Sequence, residues 1–242
     1  KNLPAGLSLT DHTMEVSTLI VTGPKSRDLF ENVGTDADLS TGWLTHQAAK
    51  VAGKPVHLNR VSFAGELGWE VHADMAHIPA LHAAITDEGA TPFGMYALNS
   101  MRIEKGYRAW KGDLSTDYTL LEGGMERFVK FDKPQDFPGK AALASEKQSG
   151  RKKGFVTMTI DDECAFDAPY MSTIWKGDEV VGEVTSSAMG YRTNKCIALG
   201  MLRVDLLEPR TKLEVEIFGG RYGVTVQEDQ PMWDPANERL RA

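Results

Sequence analysis

The chain has 242 residues, 41% hydrophobic and 25% charged, long enough for two modest cores, and no stretch of it nears the ~20 consecutive apolar residues of a membrane span. Its 27 basic and 34 acidic residues leave a net charge of -7, which argues against nucleic acid as a partner because phosphate binding needs a basic footprint. Cys164 and Cys196 lack CxxC spacing and read as reduced, packed residues of a cytoplasmic globular protein.

The first residues, KNLPAGLSLTDH, show neither an initiator Met nor the layout of a signal peptide, so the chain is expected to begin part-way through something longer. EVSTLIVT (15–22) is β-branched and runs into Gly23-Pro24, a strand meeting a breaker. Ser26 as N-cap, the apolar pair Leu29 and Phe30, and Gly34 as a stop predict a short helix next. KPVHLNRVSF (54–63) and LGWEVHA (67–73) read as two strands joined by a short turn at AGEL. Helices are predicted over HIPALHAAITDEG (77–89), from Ile78, Leu81 and Ile85, and over GMYALNSMRIEKG (94–106), from Met95, Leu98 and Met101.

The Pro- and Gly-bearing run after Phe131 and the charged run from Glu146 to Lys153 predict an interdomain connection near residue 147, dividing 1–146 from 147–242. Beyond it the periodicity is two. FVTMTI, EVVGEVTSS, CIALGMLRV, KLEVEIF and RYGVTVQ read as strands, with Leu213, Val215 and Ile217 alternating against Lys212, Glu214 and Glu216, and Gly219-Gly220 suits a two-residue hairpin turn. Several short strands in so little chain suggest a small barrel or sandwich.

The stretch RVSFAGELGWEVHAD (60–74) concentrates chemistry. With a four-residue loop at Gly65–Gly68, antiparallel pairing sets Phe63 across from Glu70, with Trp69 and Val71 on one face and Glu70 and His72 on the other. A carboxylate beside an aromatic ring suits a flat heterocycle with two adjacent N–H donors. The plainer reading is a solvated strand glutamate, the more frequent case for such spacing. In SMRIEKGYRAWKGD, Arg102 and Arg108 suit carboxylates of a ligand, and Tyr107 and Trp110 a cleft; composition favours instead a helix end with a satisfied ion pair and aromatic packing. The six histidines show no metal or triad pattern, and no Ser or Cys nucleophile signature is present.

FAGELGWEV, ALNSMRIEKGYRAW, FPGKAAL, GEVTSSAMGYRTNKCIALGML and PMWDPANERLRA, in that order, resemble the successive signatures of the glycine-cleavage T-protein (aminomethyltransferase) family. RIEKGYRAW and the ERLRA tail are most similar to the C-terminal folate-binding part of dimethylglycine and sarcosine dehydrogenases and oxidases. The resemblance implies an α+β fold: an antiparallel sheet with helices, followed by a small C-terminal antiparallel β-barrel. It also implies tetrahydrofolate as cofactor, held between the two regions, with FAD only in an upstream domain that oxidises an N-methyl amine while this region captures the one-carbon unit as 5,10-methylenetetrahydrofolate. The family's pterin-binding glutamate falls on Glu70, its hairpin tyrosine on Phe63, and its aromatic position near the end of the second segment on Trp110. Two departures stand out: Phe63 lacks the phenol, and the arginine that contacts the folate tail is replaced by Leu98, while Arg102 matches a structural arginine.

The family's catalytic aspartate lies farther upstream than the 69 residues preceding Glu70, and Asp11 does not match it, so no catalytic residue is expected in this chain. The chain is therefore expected to be a C-terminal piece of a longer polypeptide, or a subunit completed by a partner. Its partners would be a reduced folate and an upstream flavin domain or partner subunit. The alternatives are a non-catalytic folate-binding, assembly or regulatory relative, or a tetrahydrofolate-dependent O- or S-demethylase of the same fold.

Overall fold

A computed structural model describes residues 3–161 and 166–242, so Cys164 lies outside the described residues. The chain divides into two compact units, Lys1–Gly94 with Ala236–Ala242, and Met95–Pro235. None of the described helices is long and apolar enough to cross a membrane.

The first unit contains β1 (Val16–Thr22), α1 (Ser26–Val33), β2 (His46–Val51), β3 (Lys54–Asn59), β4 (Gly68–Asp74) and α2 (Ile78–Asp87). Its strands form an antiparallel sheet in the order β1-β4-β3-β2. β2 is a strand that sequence periodicity does not announce, because HQAAKV contains only one β-branched residue. It forms through its hairpin with β3, closed by Ala52 (φ 48°) and Gly53 (φ 73°), the positive-φ pair that matches the twist of the flanking strands.

Alternation along β4 follows the expected pattern. Trp69, Val71 and Ala73 enter the core with Phe30 of α1 and Leu81 and Ile85 of α2, and Glu70 and His72 take the opposite face. The Trp69 ring meets Phe30 edge-on at 5.3 Å, and each buried side chain of this size contributes about 1.5–3 kcal/mol over exposure. The C-terminal turn Glu238–Arg241 is tied to this unit by Arg60, which is buried 4.8 Å above Trp69 and donates from Nη2 to the Ala242 carbonyl at 2.8 Å.

The second unit contains α3 (Met95–Glu104), α4 (Lys140–Ser149), β5 (Lys153–Ile160), β6 (Thr173–Lys176), β7 (Glu179–Gly190), β8 (Lys195–Arg203), β9 (Lys212–Ile217) and β10 (Gly220–Val226). The six strands close into an antiparallel barrel in the order β10-β5-β8-β7-β6-β9, so the barrel expectation holds and a sandwich does not form. Residue 147, the expected interdomain point, falls inside α4. β6 escaped the sequence reading because it has only four residues, TIWK.

Inside the barrel, Leu213, Val215 and Ile217 point inward as their alternation requires, packing with Met158, Ile174 and Val184. The β9–β10 turn is made by Phe218 (φ 50°) and Gly219 (φ 85°), one residue earlier than expected, since Ile217 pairs with Gly220. β7 and β8 approach so closely that a Cβ at Gly182 would sit 2.2 Å from the Met201 carbonyl oxygen.

Candidate ligand-binding residues

Glu70 occupies the middle of β4, paired with Ile20 on β1 and with Asn59 on β3. The expected pairing with Phe63 is therefore corrected: β3 stops at Asn59, and residues 60–67 form a longer connection than a four-residue loop. The chain leaves the ladder because the Arg60 side chain turns inward against Trp69 and spends its hydrogen bonds on the carbonyls of Gly68, Leu240 and Ala242. Phe63 lies in this connection, half-buried.

The Glu70 carboxylate is one-third exposed, and Oε2 meets His72 Nε2 at 3.1 Å. His72 Nδ1 is in turn 2.9 Å from Thr18 Oγ1 on β1. If the Thr18 hydroxyl donates to Nδ1, the imidazole presents Nε2–H to Glu70, which leaves Oε1 available as an acceptor. Across the sheet His57 pairs with His72, and the His46 and His57 rings stack at 5.2 Å. These groups do not converge on a point, and no metal-holding cluster of His, Cys, Asp and Glu occurs among the described residues. A cleft of about 630 Å³ elsewhere in this unit, lined by Arg27, Glu31 and Asp38, contains none of the expected site residues.

Trp110 belongs to the second unit, in the segment after α3, and is 76% exposed. Around it the sequence placed two arginines, and the structure separates their roles. Arg102 is buried: Nη1 donates to Asp113 Oδ2 at 2.6 Å and to the Tyr107 carbonyl at 2.9 Å, and Nη2 donates to Asn99 Oδ1 and Ser186 Oγ. Burial pushes its guanidinium below the ordinary arginine value, while the charge and hydrogen bond of Asp113 push the other way. Arg102 is thus a buried arginine paired with Asp113.

Sequence reasoning missed Asp113 as its partner. The carboxylate also accepts from Ala109 N–H at 2.7 Å and from Thr185 Oγ1 at 2.5 Å. Thr185 sits where the β7–β8 register shifts, and the bulge aims its side chain at the carboxylate. The expected apolar stripe of α3 is also corrected: Met95 is 75% exposed, and the buried positions are Leu98, Ser100, Arg102, Ile103 and Glu104. These charges can be buried because each has partners, Glu104 accepting from Arg192 and from Thr193 N–H.

The GCVT N-terminal domain matches residues 1–133, and the glycine cleavage T-protein C-terminal barrel domain matches residues 153–234. Human mitochondrial dimethylglycine dehydrogenase is 37% identical over 95% of this chain, which spans 27% of that protein. Mouse mitochondrial sarcosine dehydrogenase is 33% identical over 96% of the chain and 26% of its own length, and an aminomethyltransferase of Saccharopolyspora erythraea 32% identical over 89% and 60%. The crystal structure of the aminomethyltransferase T of the Bartonella henselae glycine cleavage system superposes with a TM-score of 0.82 at 20% identity, covering 91% of this chain and 60% of the other. Sequence and fold agree that this chain belongs to the glycine-cleavage T-protein family, with the aminomethyltransferase fold.

Proposed function

We propose that this chain is the tetrahydrofolate-binding, one-carbon-capturing part of a flavin-linked dimethylglycine or sarcosine dehydrogenase, with Glu70, Phe63 and Trp110 as its folate-contacting residues. The observation that carries the proposal is the Glu70 carboxylate: it lies on the face of β4 away from the core, is held at one oxygen by His72, and keeps the other open as an acceptor. A carboxylate in that state fits a pterin edge, whose adjacent N–H groups donate in parallel. Phe63 would supply a ring face, and Trp110 an exposed one.

When bound, tetrahydrofolate supplies the nucleophilic amines that take up the one-carbon unit, giving 5,10-methylenetetrahydrofolate. This chain's residues bind and orient it, and none is assigned the proton transfer. A flavin-bearing region or partner subunit would supply the oxidation. The division at residues 1–146 and 147–242 and a cytoplasmic location belong to the same proposal; mammalian relatives carry a mitochondrial designation.

The test is a calorimetric titration with folinic acid, a stable reduced folate, for the wild type and Glu70→Gln. Saturable binding weakened about tenfold or more by the substitution supports the proposal, because a charge-assisted pair contributes about 1.5–3 kcal/mol. Equal binding by both proteins removes Glu70 from the site. A second reading, a relative that keeps the fold without the chemistry, is favoured by Leu98, which is buried where the resemblance would set a folate-contacting arginine. Binding without product in an assay that includes the flavin region would select it.

A further inference from the structure

Arg108, in the second unit, is held by packing and not by charge. Its guanidinium lies 3.9 Å from the centre of the Phe155 ring. Gly124, at φ +66°, leaves the space beside it: a Cβ there would come within 2.7 Å of Nη2. Among the described residues the guanidinium has no hydrogen-bond acceptor or ion-pair partner, and its Nε is buried without one.

The acids around it do not fill that role. Asp113 is committed to Arg102, Ala109 N–H and Thr185. Asp229 is near enough to favour the charge on Arg108, but the two form no ion pair. Burial is the largest influence and disfavours the charge, and Arg127 adds like-charge repulsion. A half-buried cation without an acceptor, beside a second cation, is costly until an anion arrives.

A guanidinium packed between a ring and a glycine has little freedom to turn its outer N–H edge. That pre-organised fork matches the two oxygens of a carboxylate or phosphate. We propose that Arg108, cradled by Phe155 and Gly124, is a binding site for a small oxyanion presenting two oxygens to its fork. The proposal stands independently of the folate reading.

The test follows the Arg108 Nε–H resonance by ¹⁵N-edited NMR while glutarate or inorganic phosphate is added to the chain, with calorimetry in parallel. A saturable shift of that resonance is expected. Arg108→Lys, which keeps the charge and loses the fork, should weaken binding about tenfold. Asp229→Asn should tighten it a few-fold by removing the competing carboxylate. Tighter binding of phosphate assigns the site to phosphorylated ligands, and tighter binding of glutarate to organic acids. Unfolding curves for each variant separate loss of the site from loss of the fold, and Gly124→Ala, which displaces the fork without touching its charge, gives an independent check. No saturable shift at Arg108 with either anion, or unchanged affinity in a folded Arg108→Lys protein, overturns the proposal.

Discussion

Asp113 receives the Arg102 guanidinium at 2.6 Å with both side chains out of reach of solvent, and Thr185 of the β7 bulge closes the other carboxylate oxygen. A buried ion pair of this kind organises its surroundings more than it adds net stability, and breaking it is expensive because one charge is left without a partner. Asp113→Ala should therefore destabilise the protein by about 3–5 kcal/mol, and Thr185→Val, which removes a single donor, by about 1–3 kcal/mol. Chemical denaturation monitored by circular dichroism checks both. Equal, small effects would show that the charge is neutralised in another way.

Lys105 and Asp234 form a second buried pair, in which Nζ also donates to the Asp234 carbonyl oxygen at 2.5 Å. The ammonium clamps the segment after β10 to the end of α3. Lys105→Met keeps the volume and removes the donors, so a destabilisation of about 3 kcal/mol or more is expected. Limited proteolysis between residues 227 and 235 should also become faster. An unchanged cleavage pattern would mean that other contacts fix this segment.

Tyr118 donates its phenolic hydrogen to Glu183 Oε1 at 2.9 Å, and its pKa is raised well above the ordinary 10.0, first by burial and then by the hydrogen bond and charge of Glu183. A folded-state pKa above the unfolded value means that the unfolded chain releases the proton first. The associated stability is complete below about pH 10 and falls as pH rises beyond it. Tyr118→Phe should reduce the slope of stability against pH above 10 and leave the tyrosinate absorbance at 295 nm below pH 11 unchanged. Loss of a titrating step from that range in the variant would contradict the assignment.

The Glu70 side chain is one-third exposed, and among the described residues it bonds only to His72, itself equally exposed. Its contribution to folding is that of a surface pair, so Glu70→Gln should change stability by less than about 0.5–1 kcal/mol. Thermal unfolding tests this before any ligand is added. A large loss of stability would turn Glu70 into a structural residue and make its effect on binding indirect.

Much of the architecture was legible in local pattern. The alternation in LEVEI placed Leu213, Val215 and Ile217 inside the barrel, and the same rule put Trp69 and Glu70 on opposite faces of β4. Less of the candidate site could be read. The sequence pointed to both Arg102 and Arg108, but nothing in their spacing says that Arg102 is satisfied and Arg108 is not.

Periodicity reports how a segment divides itself between core and solvent, so the amino-acid sequence alone was enough for most strands and helices and for the ordered segments of the family. It is silent on which distant groups meet. The partner of Arg102 is completed by Thr185, 72 positions from Asp113, and Glu70 pairs with Asn59 because Arg60 turns inward toward Trp69 and the C-terminal carbonyls. Those choices are made by hydrogen-bond satisfaction in the folded interior, where a buried charge must find its acceptor wherever the chain brings one.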